Sequence, residues 1–251
     1  MMTRDLATIF SRRDMVRFAA IASLAAALPW PARAQGPAVG SLKIAMIGSG
    51  REGGALGTLW AKAGHKVFFS SRHPDELKGL VDSVGANAQA GSVADAVAFG
   101  DVAALVVPYA AIEQIGKDFG PALAKKPLVI DVSNPIPRRD GDDFVKQVNE
   151  MGGPGLATAK YFPGAKLVRA FNAIGFAKLA PDAAKTDDKV GVPIAGDDQG
   201  AIAMAEALIR EIGFEPVLVG GLAMGKYLVP GTPLGGEHSP AELKQLAATL
   251  K

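Results

Sequence analysis

The sequence predicts an α/β protein: a Rossmann-type, doubly wound parallel sheet with a small C-terminal extension. Two observations carry that class. Short apolar runs rich in β-branched residues alternate with segments of helical period, and the first run breaks into a glycine loop that opens a helix. A third observation sets the scale. The 251 residues are 49% hydrophobic and 21% charged, which suits one domain of ordinary size plus a small addition.

Taken in order, Lys43 to Ile47 reads as a buried parallel strand ending at glycine. Arg51 to Ala63 is a helix with Leu56, Leu59 and Trp60 on one face, stopped by Gly64. Lys66 to Ser70 is a second strand and Pro74 to Val84 a second helix. Asn87 to Ala90 is a short strand, followed by a helix to Phe99 that Ser92 caps. Val102 to Val107 is a central strand, Ala110 to Phe119 a helix and Leu128 to Val132 another strand. A helical stretch around Leu156 to Lys160 precedes a sixth strand, Lys166 to Phe171. Parallel strands joined by helices require right-handed crossovers. The smaller region, 186–251, holds strands at Val190 to Ala195 and Glu215 to Val219 around a helix from Gln199 to Ile212. Its final helix starts at Ser239-Pro240, an N-cap followed by proline at the first helical position. The dinucleotide-binding domain is expected over 42–185.

The first segment reads as an address. Arg4, Arg12, Arg13 and Arg17 precede a short alanine-rich apolar run, and Ala32-Arg33-Ala34 has the small-x-small form of a cleavage site. Ser11-Arg12-Arg13 carries the paired arginines of the twin-arginine (Tat) export signal. The expectation is a Tat-type signal peptide over 1–34, a linker over 35–41, the Tat machinery as a partner and an exported, periplasmic protein. The apolar run is too short to span a bilayer, so no membrane span is expected after processing.

Composition removes other classes. Without cysteine there is no disulfide, thiolate or iron–sulfur chemistry, and three scattered histidines do not suggest a multi-histidine metal site. No metal is expected. A net charge of +2 does not point to nucleic acid.

Gly48-Ser49-Gly50-Arg51-Glu52-Gly53 is G-x-G-x-x-G between a strand and a helix, the context in which it binds a dinucleotide. Gly48 permits the turn, Gly50 lets the backbone approach a pyrophosphate, and Gly53 lets helix and strand pack closely. The helix N-terminus offers free N–H groups to the phosphates. At the end of the second strand an NAD site places an acid; here stand Ser70-Ser71-Arg72. Two hydroxyls and a guanidinium suit a 2′-phosphate, so NADP(H) is expected over NAD(H). The plainer alternative for Arg72 is a solvated surface arginine.

At this point the residues resemble a family. Lys43 to Gly50, Ala63-Gly64-His65-Lys66-Val67 and Ser70-Ser71-Arg72 are similar to the NADPH-dependent coenzyme F420 reductases. So are Val106-Val107-Pro108-Tyr109, Asp131-Val132-Ser133-Asn134-Pro135, Arg169-Ala170-Phe171-Asn172 and Ala195-Gly196-Asp197-Asp198. The similarity runs from about Leu42 to Val219. It implies a hydride acceptor of the coenzyme F420 or flavin type and a possible homodimer. Arg169 stands where the family has lysine, the export signal is unusual for it, and Leu222 to His238 matches no deazaflavin pocket.

Ligands bind outside the C-terminal strand ends of such a sheet, so the loops after strands one, four, five and six should converge. Val107, Pro108 and Tyr109 are expected by the nicotinamide ribose, Asn134-Pro135 at the carboxamide or ribose, Asn172-Ala173 among the coenzyme-binding residues, and Ala173 with Ile174 as a small apolar floor for the acceptor ring. Tyr109 as a helix-start aromatic and Asn134-Pro135 as a turn are the bland alternatives. No Tyr-x-x-x-Lys pair is present. His238, beside Glu237, is the weak candidate for proton work, against a plain loop histidine. The function expected is hydride transfer between NADPH and a small-molecule, flavin- or deazaflavin-like acceptor. Reduction of a small carbonyl or imine, or a non-catalytic NADP(H) sensor, are the alternatives.

Overall fold

The computed structural model describes residues 40–250. The signal-peptide expectation and nearly all of the linker therefore lie outside the described residues. The chain forms one eight-stranded sheet in the order β3-β2-β1-β4-β5-β6-β7-β8. These are β1 (Lys43–Ile47), β2 (Lys66–Ser70), β3 (Ala88–Gly91), β4 (Val102–Leu105), β5 (Val129–Asp131), β6 (Leu167–Arg169), β7 (Gly191–Gly196) and β8 (Glu215–Gly220). The strand order reverses between β1 and β4, which creates the crevice where ligands of doubly wound sheets bind.

Ten α-helices are assigned among the described residues. They are α1 (Arg51–Lys62), α2 (Lys78–Val84), α3 (Val93–Phe99), α4 (Ile112–Leu123), α5 (Pro137–Asp140), α6 (Asp142–Glu150), α7 (Pro154–Tyr161), α8 (Phe176–Ala183), α9 (Gln199–Glu211) and α10 (Pro240–Ala248). Among the described residues no helix is long and apolar enough to cross a membrane. Two layers cover the sheet. On one face α1 and α9 enclose Met46, Trp60, Phe69, Ile194 and Leu208. On the other, Ile47, Leu105, Ile112, Val148 and Phe162 are buried together. Trp60 donates its indole N–H to the Leu208 carbonyl at 3.2 Å, tying α1 to α9 across the core.

Three differences from the sequence expectation have physical causes. First, β6 and β7 are antiparallel, while β7 and β8 run parallel again. The region beyond 186 thus continues the same sheet, and the reversal follows from α8 and its return loop. Second, β4, β5 and β6 end earlier than their apolar runs, because Val106, Val107, Val132 and Phe171 leave the ladder to line the crevice. Third, α5, α6 and α8 were not expected. Segment 142–150 has few apolar positions and reads as polar, yet it packs Val148 into the core and sets Phe144 against Tyr109. The helix predicted from Pro74 begins as a 3₁₀ turn, Pro74–Leu77. The Ser92 and Ser239 caps form as expected, each with a reciprocal capping box, through Asp95 and Glu242.

Candidate active site

The crevice at the C-terminal ends of β1, β4, β5 and β6 has a volume of about 350 Å³, within the range of small-ligand sites. Gly50, Arg51, Glu52 and Gly53 form one wall. Val107 and Pro108 follow β4, Asn134 follows β5, and Asn172, Ala173 and Ile174 follow β6. Nine of the coenzyme-binding residues expected from the sequence, in four separate loops, therefore converge.

The glycine loop shows what each glycine is for. Gly48 has φ +95°, a conformation L side chains avoid, and a Cβ there would collide with the Val106 carbonyl oxygen. A Cβ at Gly53 would collide with the Gly48 carbonyl oxygen. Gly50 differs: nothing lies within 4 Å of where its Cβ would be. The protein's own packing does not require glycine there. Gly50 is also the N-cap of α1 and supplies no side-chain cap, so the first N–H groups of the helix face the crevice uncapped by the loop. An open cradle at a helix N-terminus fits a pyrophosphate.

Unsatisfied polar atoms cluster around it. Buried side-chain atoms without a hydrogen-bond partner include Ser49 Oγ, Glu52 Oε1 and Asn172 Oδ1. Since buried polar groups are nearly always paired, these point to a ligand. Glu52 is the one carboxylic acid among the described residues that line the crevice. Burial pushes its carboxyl up to about 7, opposed by a hydrogen bond with the Phe176 backbone at the start of α8.

A buried network braces the floor. Asp131 and Arg169 sit directly opposite each other across β5 and β6. Their side chains pair at 2.6 Å and neither is exposed. Arg169 also donates to Asn134 Oδ1 at 3.1 Å, and Thr158 donates to Asp131 at 2.9 Å. Asn134 in turn donates to the Asn172 carbonyl at 2.7 Å. Phe171 holds φ 61°, costly for a bulky residue. Its ring is gripped edge-on by Trp60 and Phe214, so packing over-determines the turn that presents Asn172.

Other residues singled out in the sequence do not meet there. Tyr109 is 1% exposed, and its hydroxyl donates to the Pro154 carbonyl at 2.7 Å and meets Thr158 at 2.9 Å. Burial and the Asp131 carboxylate push its ionisation above the ordinary tyrosine range. It braces α7 and does not line the crevice. Pro135 is buried behind Asn134. Ser70 is fully buried and donates to the Met46 carbonyl at 2.8 Å, so its hydroxyl holds the strand end and does not face a phosphate. Ser71 is half-buried and Arg72 exposed at the end of β2, both beyond the crevice lining. Among the described residues Arg72 has no ion pair. His238 lies beside the start of β7, where its carbonyl accepts from Gly191 N–H, and does not line the crevice.

Sequence reasoning missed the Asp131–Arg169–Thr158 network and valued Glu52 only for its backbone. The one available signal was the pairing of an acid ending one central strand with an arginine ending the next.

Comparison with known proteins gives similarities of family and fold. Residues 43–135 match the family model described as NADP oxidoreductase, coenzyme F420-dependent. No curated protein sequence matches. Among solved structures, a hypothetical protein of Sinorhizobium meliloti is similar with a TM-score of 0.62 and 28% identity, over 78% of this chain and 93% of that one. An Arthrobacter protein described as an F420-dependent NADP-reductase has a TM-score of 0.62 and 21% identity, over 74% of this chain and 88% of that one. An imine reductase from Myxococcus stipitatus has a TM-score of 0.52 and 15% identity, over 82% and 60%. The last two, at such identity, speak to the fold. Over residues 43–135 the chain is thus similar to NADP-dependent oxidoreductases of the kind described as coenzyme F420-dependent.

Proposed function

We propose that the crevice binds NADP(H) and that the protein moves a hydride between it and a flat, flavin- or deazaflavin-like acceptor. The observation that carries the coenzyme half is Gly50, a glycine that faces open space at an uncapped helix N-terminus. The pyrophosphate would rest on residues 49–53. The adenosine would lie toward β2, with Ser71 and Arg72 at its 2′-phosphate, and the nicotinamide over β4 to β6. The bound coenzyme supplies the hydride; the protein aligns donor and acceptor.

The acceptor half rests on the far side of the crevice. Val107, Pro108, Ala173 and Ile174 give it apolar surface, Ile136 in its lining is 37% exposed, and Phe176, next to the lining Gly175, is 41% exposed. Arg51 lies over the Phe176 ring, 5.1 Å from its centroid, and Arg139 lines the crevice. Flat apolar surface edged by guanidinium groups suits an aromatic ring bearing anionic groups. Glu52, an acid within the crevice, favours a second reading: reduction of a small neutral imine or carbonyl.

The test follows the loss of NADPH absorbance with the purified protein and, in turn, coenzyme F420, FMN, and a cyclic imine. Turnover with F420 or FMN at least tenfold above that with the imine is expected. Turnover with the imine alone replaces the first reading by the second. NADPH binding without turnover on any of them leaves a nucleotide-binding sensor.

A further inference from the structure

Glu52 occupies an unusual place for an acid. It lies in the first turn of α1, beside the cradle proposed for a pyrophosphate, yet its carboxyl turns away toward α8, where the Phe176 backbone binds it. That direction fixes which end of the crevice it serves. In the sheet, β2 lies on one side of β1 and β4, β5 and β6 on the other. Phe176 follows β6. The carboxyl therefore stands at the end opposite Ser71 and Arg72, which on the proposed reading is the nicotinamide end.

Among the described residues no cation neutralises it. Arg51, its neighbour, lies over the Phe176 ring. Arg139, across the crevice, is bound to Asp140 and to the Asn134 carbonyl. On α8, Lys178 pairs with Glu237 at 3.2 Å and Lys185, just beyond it, with Asp182 at 2.7 Å. On α2, Lys78 pairs with Asp82 at 2.5 Å. Lys43 and Lys66, on the strands beneath, stand at the opposite ends of β1 and β2. One carboxyl oxygen, Oε1, is buried without a hydrogen bond, as suits a group that spends part of its time protonated.

We propose that Glu52 is the proton-carrying acid of the crevice: it holds a proton while reduced coenzyme is bound and gives it up when the coenzyme is oxidised. This rests on the reading of the crevice as an NADP(H) site. The physical ground is charge. The oxidised nicotinamide ring is cationic and the reduced ring neutral, so in a partly desolvated crevice only the oxidised form favours the carboxylate. Reduction of a neutral acceptor consumes one hydride, with its electron pair, and one proton. The acceptor receives the hydride from the reduced coenzyme and the proton from the Glu52 carboxyl. Glu52 is left as carboxylate and recovers a proton from solvent through the open mouth.

Binding alone tests this, with no acceptor needed. NADPH and NADP⁺ are titrated separately into the wild-type protein by calorimetry between pH 5.5 and 8.5, in two buffers of different ionisation enthalpy. Both coenzymes carry the same 2′-phosphate, so its own titration cancels in the comparison. With rising pH, NADP⁺ should tighten relative to NADPH by up to about tenfold per pH unit over the Glu52 transition. NADP⁺ should also release up to one more proton than NADPH. Glu52→Gln, which keeps an oxygen for the Phe176 N–H, should make the affinity ratio independent of pH. A residue that only caps α8 would leave the wild-type ratio independent of pH as well, and that result overturns the proposal. So does a pH-dependent ratio that persists in Glu52→Gln. A folded chain that binds neither coenzyme contradicts the reading of the crevice itself, and the proposal with it.

Discussion

Gly50 and Gly53 stand three residues apart and are glycine for different reasons. At Gly53 a methyl group collides with the Gly48 carbonyl, which cannot retreat without moving the strand end. Gly53→Ala should therefore cost roughly 1–3 kcal/mol of stability, as overpacked sites do, visible as a lower melting temperature. Gly50→Ala meets no protein atom. It should leave the melting temperature nearly unchanged and weaken NADPH by about tenfold or more, near 1.4 kcal/mol, in a fluorescence titration. Equal affinity in Gly50→Ala and wild type would show that nothing approaches this backbone. The spacing of the glycines was legible in the sequence; which of them serves the fold and which the ligand was not, because that depends on what lies opposite each Cα. The same limit misplaced Ser70 and Tyr109. Both residue types suit a binding site, and both turn inward, to the Met46 carbonyl and to Thr158.

Pairs of elements explain how the crevice keeps its shape. β5 and β6 are cross-linked by Asp131 and Arg169, buried and opposite in register. Asp131→Ala strands a guanidinium in the core and should cost about 3–5 kcal/mol in a denaturant titration. Asp131→Leu with Arg169→Met removes both charges and should recover most of that loss. If the single variant unfolds like wild type, the pair is not bracing the strands. A second link joins α1 to α8 through Glu52. Its carboxyl ionises at about 7 in the folded chain and near 4.5 in the unfolded one, so the folded state binds more protons between these values. Stability then falls as pH rises through that window. Glu52→Gln should match wild type near pH 4.5 and melt higher at pH 8, by on the order of 1 kcal/mol after allowing for solvent screening. None of these links could be read from local pattern. Asp131 and Arg169 are far apart in the chain, and only the register of two central strands sets them face to face.

Across the whole molecule, the alternation of apolar runs and helices was enough to foresee a doubly wound sheet and the place of its crevice. The order of the first six strands follows from right-handed crossovers. The reversal at β7 was hidden, because strand direction depends on the connection before it and that connection contains α8, whose Phe176 and Leu179 give only a short apolar stripe. The division into a domain over 42–185 and a smaller region beyond remains a proposal, since β7 and β8 extend the same sheet. Export is likewise proposed, from the paired Arg12 and Arg13 and the small residues at 32–34. Arg12→Lys with Arg13→Lys should leave the protein in the cytoplasm on cell fractionation, with normal export of that variant ruling out the twin-arginine route.

The central claim is that a phosphorylated adenosine ribose is held at the end of β2, where Arg72 is exposed and, among the described residues, without an ion pair, while the pyrophosphate lies on α1. Affinities for NADPH and NADH, measured side by side for wild type and Arg72→Asp, test it most directly. Wild type should prefer NADPH by about tenfold or more, and the variant should lose that preference chiefly by weakening NADPH, because an attractive charge becomes repulsive. Equal affinities in wild type, or an equal loss for both coenzymes in the variant, would contradict it.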